Sequence, residues 1–492
     1  MTMSEPTVAA ASFTAALDVL AANPPSPTER PIPLAYVGPS PPCHAQLGEA
    51  DAVPAATGPL AAAVAAQREG TVTSVELVER CLAAIGAHDG ELSAVVELDA
   101  DSALSAAADA DVDRVAGRWR GPLHGVPVTV KDVIDVAGFT TRAGSVTYKR
   151  VAERDAEGVA LLRRAGAVIL GKVSTHEFAL GVTTPQSRNP YDPTRIPGGS
   201  SGGSAISVAT GMALASLGTD TRASIRVPAA LSGVVGIKPT HGIIPTTGIV
   251  SLSWTMDHVA PMAATVGDAA MVLGALLGRA SWPLPRRGLR VGVPTVGLAA
   301  ADAPVAEAVE AALGALTDVE IVPLDRPSSA DLDVAEAVGL IISRCEAAGF
   351  HRSLGLDRFL YWDEVADQLA AAALVSAIDY LDAQRVRGQL AERLLVCFDH
   401  VDVLAMPTTL SVAPRLDEYE RFLMTLARNA IPWSLVGFPA MSVPVGLVDG
   451  LPVGLQLVAG PHCDDVLIAA GLAVEEAVGV HPWTASASHS AP

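Results

Sequence analysis

The sequence predicts an α/β fold: a large mixed, mostly parallel β-sheet covered by helices on both faces. Three observations carry this. Continuous apolar runs alternate with segments of helical periodicity, as expected for strands buried on both sides. A hairpin signal near the carboxyl end adds an antiparallel pair. With 492 residues, half of them hydrophobic and 17% charged, the chain can bury one large core and does not match a disordered composition.

In chain order, residues 24 to 58 are proline-rich, as in Asn23-Pro-Pro-Ser-Pro27 and Gly38-Pro-Ser-Pro-Pro42, and predict an extended arm. The expected division is therefore an extension over 1–58, a catalytic domain over 59–480 and a flexible tail over 481–492. Thr73-x-x-Glu76 fits a capping box, and Val78, Cys81, Leu82 and Ile85 follow at helical spacing. Asp155 to Ala165 reads as a helix and Ala167-Val-Ile-Leu170 as a buried strand. Leu289 to Val293 reads as another strand. A helix opened by Pro304 follows, with Val305, Val309, Ala312, Leu313 and Leu316 on one face. Met441 to Val448 and Leu451 to Val458 flank Asp449-Gly450, the hairpin turn.

A formal charge of −20 argues against nucleic acid or an anionic membrane as partner. Cys43, Cys81, Cys345, Cys397 and Cys463 are odd in number and scattered, which favours a reducing, cytoplasmic setting over a disulfide framework. The opening residues lack the positive region of a secretory signal, and no apolar run is long enough to span a bilayer. The histidines show no metal-binding spacing, so no metal and no cofactor are expected; His176 and His258 read as hydrogen-bonded structural residues.

Three segments carry chemistry. In Gly125-Val-Pro-Val-Thr-Val-Lys-Asp132, a strand would bury Val126, Val128 and Val130 on one face and aim Lys131 from the other. Desolvation would lower its pKa toward neutrality; a lysine reaching the surface from a strand end fits the same pattern. Ser200 lies in Pro197-Gly-Gly-Ser-Ser-Gly-Gly-Ser204, with a helix expected from about Ala205. The segment also satisfies G-x-S-x-G, but no apolar strand precedes it, so a nucleophile elbow is discounted. A phosphate loop is disfavoured too, since Gly-Lys-Ser/Thr is missing. Ser224 follows the short apolar run Leu214 to Asp220, so a buried strand would end in a turn presenting its hydroxyl. Thr219, Asp220 and Arg226 are assigned support around that turn.

These segments resemble the amidase signature family of serine hydrolases. The similarity runs through the first two and on through Gly218-Thr-Asp-Thr-Arg-Ala-Ser-Ile-Arg226, Gly233-Val-Val-Gly-Ile-Lys-Pro-Thr240, Asp402-Val-Leu-Ala-Met-Pro-Thr408, Gly437-Phe-Pro-Ala-Met-Ser-Val-Pro444 and Gly454-Leu-Gln456. It covers about residues 60 to 475.

The resemblance implies Ser224 as nucleophile, Lys131 as ultimate base and Ser200 as the bridge between them, with a cis peptide bond beside Ser200. It implies Thr221, Arg222 and Ala223 as the oxyanion and substrate-binding loop and Ser201 as a supporting residue. The activity implied is hydrolysis of a small carboxamide, urea derivative, carbamate or hydrazide, without a metal. The alternative is the amidase-like subunit of a tRNA-dependent amidotransferase. A homodimer is the family-level expectation.

This chain has Arg222-Ala223 where the family usually places Gly-Gly, so a required positive φ at either position would disturb the loop. Arg222 either projects into the cleft and favours a carboxylate or carbonyl-rich substrate, or braces a loop. Phe350, Phe359, Tyr361, Trp362, Tyr380, Phe422 and Trp433 are candidates for an entrance lining and equally for core.

Overall fold

A computed structural model of the chain describes residues 8–25, 46–47, 58–279, 281–282, 285–423 and 425–479. The proline-rich arm, apart from 24–25, 46–47 and 58, and the tail over 481–492 lie outside the described residues.

Eleven strands form the central sheet. From one edge they run Val319–Leu324, Leu289–Pro294, Val403–Pro407, Leu451–Ala459, Ala440–Val448, Val235–Lys238, His258–Ala263, Ala215–Asp220, Pro127–Lys131, Val168–Val173 and Val95–Leu98. The sheet is mixed. Pro127–Lys131 pairs in parallel with both of its neighbours, as Leu289–Pro294 does at the other flank. Antiparallel pairs through His258–Ala263, Val235–Lys238 and the hairpin join the two parallel blocks.

The local signals produce the elements expected of them. Thr73 and Glu76 close a reciprocal capping box at the head of Ser74–Leu92, each satisfying a backbone N–H of the other. The hairpin turns at Asp449-Gly450, both with positive φ, as a two-residue turn of matching twist requires. The helix expected over 155–165 occupies Glu157–Arg164, and the strand expected over 167–170 runs on to Val173. The Pro304 helix spans Ala303–Gly314, which leaves Leu316 beyond its end.

One element went unforeseen. Val8–Ala22 is a helix that packs against Ser329–Leu354, Asp363–Ala372 and Ala377–Leu395 and buries Phe13, Ala16 and Leu20. The compact body therefore includes chain that precedes the proline-rich segment.

The parallel register sets Val130 opposite Leu217, so the carboxyl ends of Pro127–Lys131 and Ala215–Asp220 emerge side by side. Carboxyl ends of parallel strands are where open α/β sheets place their ligands. Lys131 closes one of these strands and Asp220 the other.

Candidate active site

Every residue of Pro127–Lys131 is buried, so the valines and the lysine alike face the interior. Lys131 does not reach the surface. Its Nζ donates to Ser200 Oγ and to Thr219 Oγ1, each at 2.8 Å. Burial drives its pKa down to about 7, against the pull of the Asp220 and Asp257 carboxylates. An amine held there is half neutral near physiological pH.

Ser200 is presented by the glycine frame. Gly198 has φ +79°, and a Cβ on Gly199 would lie 2.0 Å from the Thr183 carbonyl oxygen. The Gly199–Ser200 peptide bond is cis. The helix Gly202–Ala209 begins three residues earlier than expected. Ser201 ties the segment to the next loop: its N–H donates to the Ser224 carbonyl (3.2 Å) and its Oγ to the Thr219 carbonyl (3.1 Å).

Ser224 is buried, with 5% of its surface exposed. The N–H groups of Thr221, Arg222, Ala223 and Ser224 make no hydrogen bond to any described residue. Four backbone donors in one turn are thus left open to an acceptor. Neither Arg222 nor Ala223 has positive φ, so the loop carries their side chains without leaving the ordinary backbone regions.

The loop is anchored at both ends. Thr221 Oγ1 donates to Asp257 Oδ1 (2.6 Å), and the same carboxylate accepts from Ser251 Oγ and from the N–H groups of Leu252 and Ser253. Burial raises the Asp257 carboxyl to about 6, although these hydrogen bonds oppose the rise. At the other end Arg226, fully buried, grips Asp220 through Nε (3.1 Å) and Nη2 (3.2 Å). The same guanidinium donates to the carbonyls of Arg222 and Ala430 and to Ser434 Oγ and Gln456 Oε1. Burial opposes ionisation of Asp220, but the Arg226 charge and its hydrogen bonds hold the carboxyl below its usual range.

Near Asp220 lies another buried lysine. Lys238 Nζ donates to the carbonyls of Phe438 (2.5 Å) and Pro239 (3.3 Å) and lies 3.3 Å from His258 Nε2. His258 Nδ1 is 3.0 Å from the Asp220 carbonyl, which can only accept, so Nδ1 carries the proton and Nε2 receives the Lys238 hydrogen bond. His176 Nε2 meets Glu364 Oε1 at 2.5 Å. Both histidines are buried and hydrogen-bonded. Among the described residues no group of three His, Cys, Asp or Glu is placed to hold a metal ion.

The aromatic candidates divide. Tyr361 and Trp433 are buried, and Phe350, Trp362, Tyr380 and Phe422 are half-buried against the core. Phe359 is 99% exposed and stands clear of the core. The structure places Lys131, Ser200, Ser201, Thr219, Asp220 and the 221–226 loop, all singled out in the sequence, next to one another. It missed Asp257, Lys238, Ser434 and Gln456; of these, Lys238 and Gln456 stood inside quoted motifs without an assigned role.

A family model described as Amidase matches residues 76–468. An amidase from Pseudomonas putida is 37% identical over 441 residues, which cover 83% of this chain and 94% of the relative. The A subunit of glutamyl-tRNA(Gln) amidotransferase from Chloroflexus aurantiacus is 35% identical over 471 residues, covering 85% and 96%. A crystal structure of an amidase matches with TM-score 0.79 and 34% identity over 85% of this chain and 100% of its own. The chain therefore belongs to the amidase signature family, whose members are hydrolases of carbon–nitrogen bonds.

Proposed function

We propose that the protein is an amidase that hydrolyses a small carboxamide, or a related urea derivative, carbamate or hydrazide, through an acyl-enzyme on Ser224. Neutral Lys131 takes the Ser200 proton while Ser200 takes that of Ser224, and Ser224 Oγ attacks the carbonyl carbon. The oxyanion forms against the N–H groups of residues 221–224, where each well-placed donor contributes about 3–4 kcal/mol. The C–N bond breaks as the proton returns to the leaving nitrogen, and water opens the ester by the same relay in reverse. Ser201, Thr219, Asp220 and Arg226 hold the loop in place.

The observation that carries this reading is the buried Lys131 at 2.8 Å from Ser200 Oγ with a pKa of about 7. Intact-mass spectrometry of protein quenched while turning over an activated ester tests it. An acyl adduct on Ser224 is expected in the wild type and none in Ser224→Ala, with ammonia release from amides falling at least about 10³-fold. Unchanged turnover in Ser224→Ala would overturn the reading.

A second reading, the amidase-like subunit of a tRNA-dependent amidotransferase complex, is favoured by the 35% identity to such subunits. Ammonia release by the purified chain without partners separates the two. For the free enzyme we propose a homodimer in a reducing, cytoplasmic setting; light scattering tests the first point. Among the described residues no helix is long and apolar enough to cross a membrane.

A further inference from the structure

The antiparallel register of Ala215–Asp220 and His258–Ala263 sets Asp220 opposite His258, so the residue after the first strand meets the residue before the second. This is how Asp257 reaches Thr221, where the turn that carries Ser224 begins. Asp257 also closes the segment 251–257 on itself, accepting from Ser251 Oγ (2.8 Å) and from the N–H groups of Leu252 (3.0 Å) and Ser253 (3.1 Å). The Ser253 carbonyl accepts in return from the N–H groups of Met256 and Asp257.

The helix Ser329–Leu354 grips the same segment from outside through the buried Glu346. Its Oε2 accepts from Ser253 Oγ (2.7 Å) and the Thr255 N–H (3.1 Å), and its Oε1 from Thr255 Oγ1 (2.8 Å). The helix Ala377–Leu395 completes the enclosure. Tyr380 Oη (2.8 Å) and Gln384 Nε2 (3.5 Å) donate to Glu346 Oε1, and Arg387 donates to Thr255 at Oγ1 (3.1 Å) and at the carbonyl (3.0 Å). Ser253 belongs to both clamps, with its N–H on Asp257 and its Oγ on Glu346. An unbroken series of hydrogen bonds, none longer than 3.1 Å, therefore runs from Glu346 through Ser253 and Asp257 to Thr221. All four residues are buried, so water does not compete for these bonds.

We propose that Glu346 is a positioning residue for the reaction: by fixing Ser253 and Thr255 it fixes Asp257, and through Asp257 it holds Thr221 and the N–H groups that follow where the oxyanion forms. This deepens the amidase reading and rests on it for the reaction that is served. A carboxylate suits the task because each oxygen accepts more than one hydrogen bond, so a single side chain pins the residues on both sides of Trp254. Glutamine can replace it. The amide oxygen keeps the Thr255 N–H, and the hydroxyls of Thr255 and Tyr380 can turn to accept from the amide nitrogen. Alanine instead leaves the Thr255 N–H buried and unpaired and releases Ser253 Oγ.

Stopped-flow acylation of the full chain by 4-nitrophenyl acetate separates positioning from folding, because the burst amplitude counts intact sites while the limiting rate reports each site's chemistry. In Glu346→Ala the limiting rate is expected to fall at least about tenfold, with the apparent dissociation constant of the ester changed less than about threefold. Glu346→Gln is expected to stay within about threefold of wild type in both. Should Glu346→Ala not fold, Ser253→Ala removes one bond of the series and is expected to show a smaller loss of the same kind. A reduced amplitude with an unaltered rate per site, or a loss confined to the dissociation constant, overturns the positioning role and leaves the amidase reading standing. Hydrogen exchange over residues 219–226 is followed in parallel, and faster exchange is expected in the alanine variant than in the glutamine variant. If the wild type is never acylated on Ser224, the amidase reading falls, and the exchange alone decides: equal exchange in the two variants overturns the hold of Glu346 on the loop.

Discussion

Lys131 sets the pH dependence expected of this enzyme. Only the neutral amine can accept a proton, and burial places its pKa at about 7. The value of kcat/KM is therefore predicted to rise about tenfold per pH unit below about 7 and to level off above it. A pH–rate profile checks this, and a profile flat from pH 5 to 8 would contradict Lys131 as the base. Lys131→Arg stays protonated across this range, and its activity is expected to fall about as far as that of Lys131→Ala. Lys131, Ser200 and Ser224 were legible as candidates because each sits in a local pattern of glycine, serine or alternating valine. Their supports were not. Asp257 grips Thr221 from 36 positions away, and Ser434 reaches Asp220 across 214. No local periodicity reports such a pair.

At the level of elements, local chemistry was legible wherever one short motif decides the geometry, as at Thr73 with Glu76 and at Asp449-Gly450. The helix Val8–Ala22 shows how such signals are obscured. Phe13, Ala16 and Leu20 recur at three- and four-residue spacing, but the alanine-rich surroundings and the proline-rich run beyond drew the segment into an expected arm. Its burial makes a prediction. Phe13, 4% exposed, is buried where its helix packs on Ser329–Leu354, so Phe13→Ala is expected to cost about 3–5 kcal/mol. Chemical denaturation measures this; a loss below about 1 kcal/mol would mean that the helix does not dock in solution. Removing residues 1–58 to probe assembly would strip this contact too, so a change in oligomeric state after that deletion has to be read beside the stability of the body.

For the molecule as a whole, one core cluster runs from Phe13 to Val474 and takes in strands from both parallel blocks of the sheet. A domain boundary needs a surface where few apolar contacts cross, and the eleven-stranded sheet offers none. Scanning calorimetry is thus expected to show a single endotherm, and two resolved transitions would divide the sheet. The mixed sheet and its helical cover were legible from apolar runs and the final hairpin. The order of strands was not, because neighbours such as Ala440–Val448 and Val235–Lys238 lie about two hundred residues apart, beyond the reach of any local pattern. The Arg226 hub carries this non-local dependence into chemistry. Its guanidinium is held by the Ala430 carbonyl, Ser434 and Gln456 as well as by its own loop. A nascent polypeptide that has reached Arg226 already contains its lysine and both serines, yet lacks the later residues that hold this guanidinium. Synthesis must therefore run past Gln456 before the loop that follows Asp220 has all of its clamps.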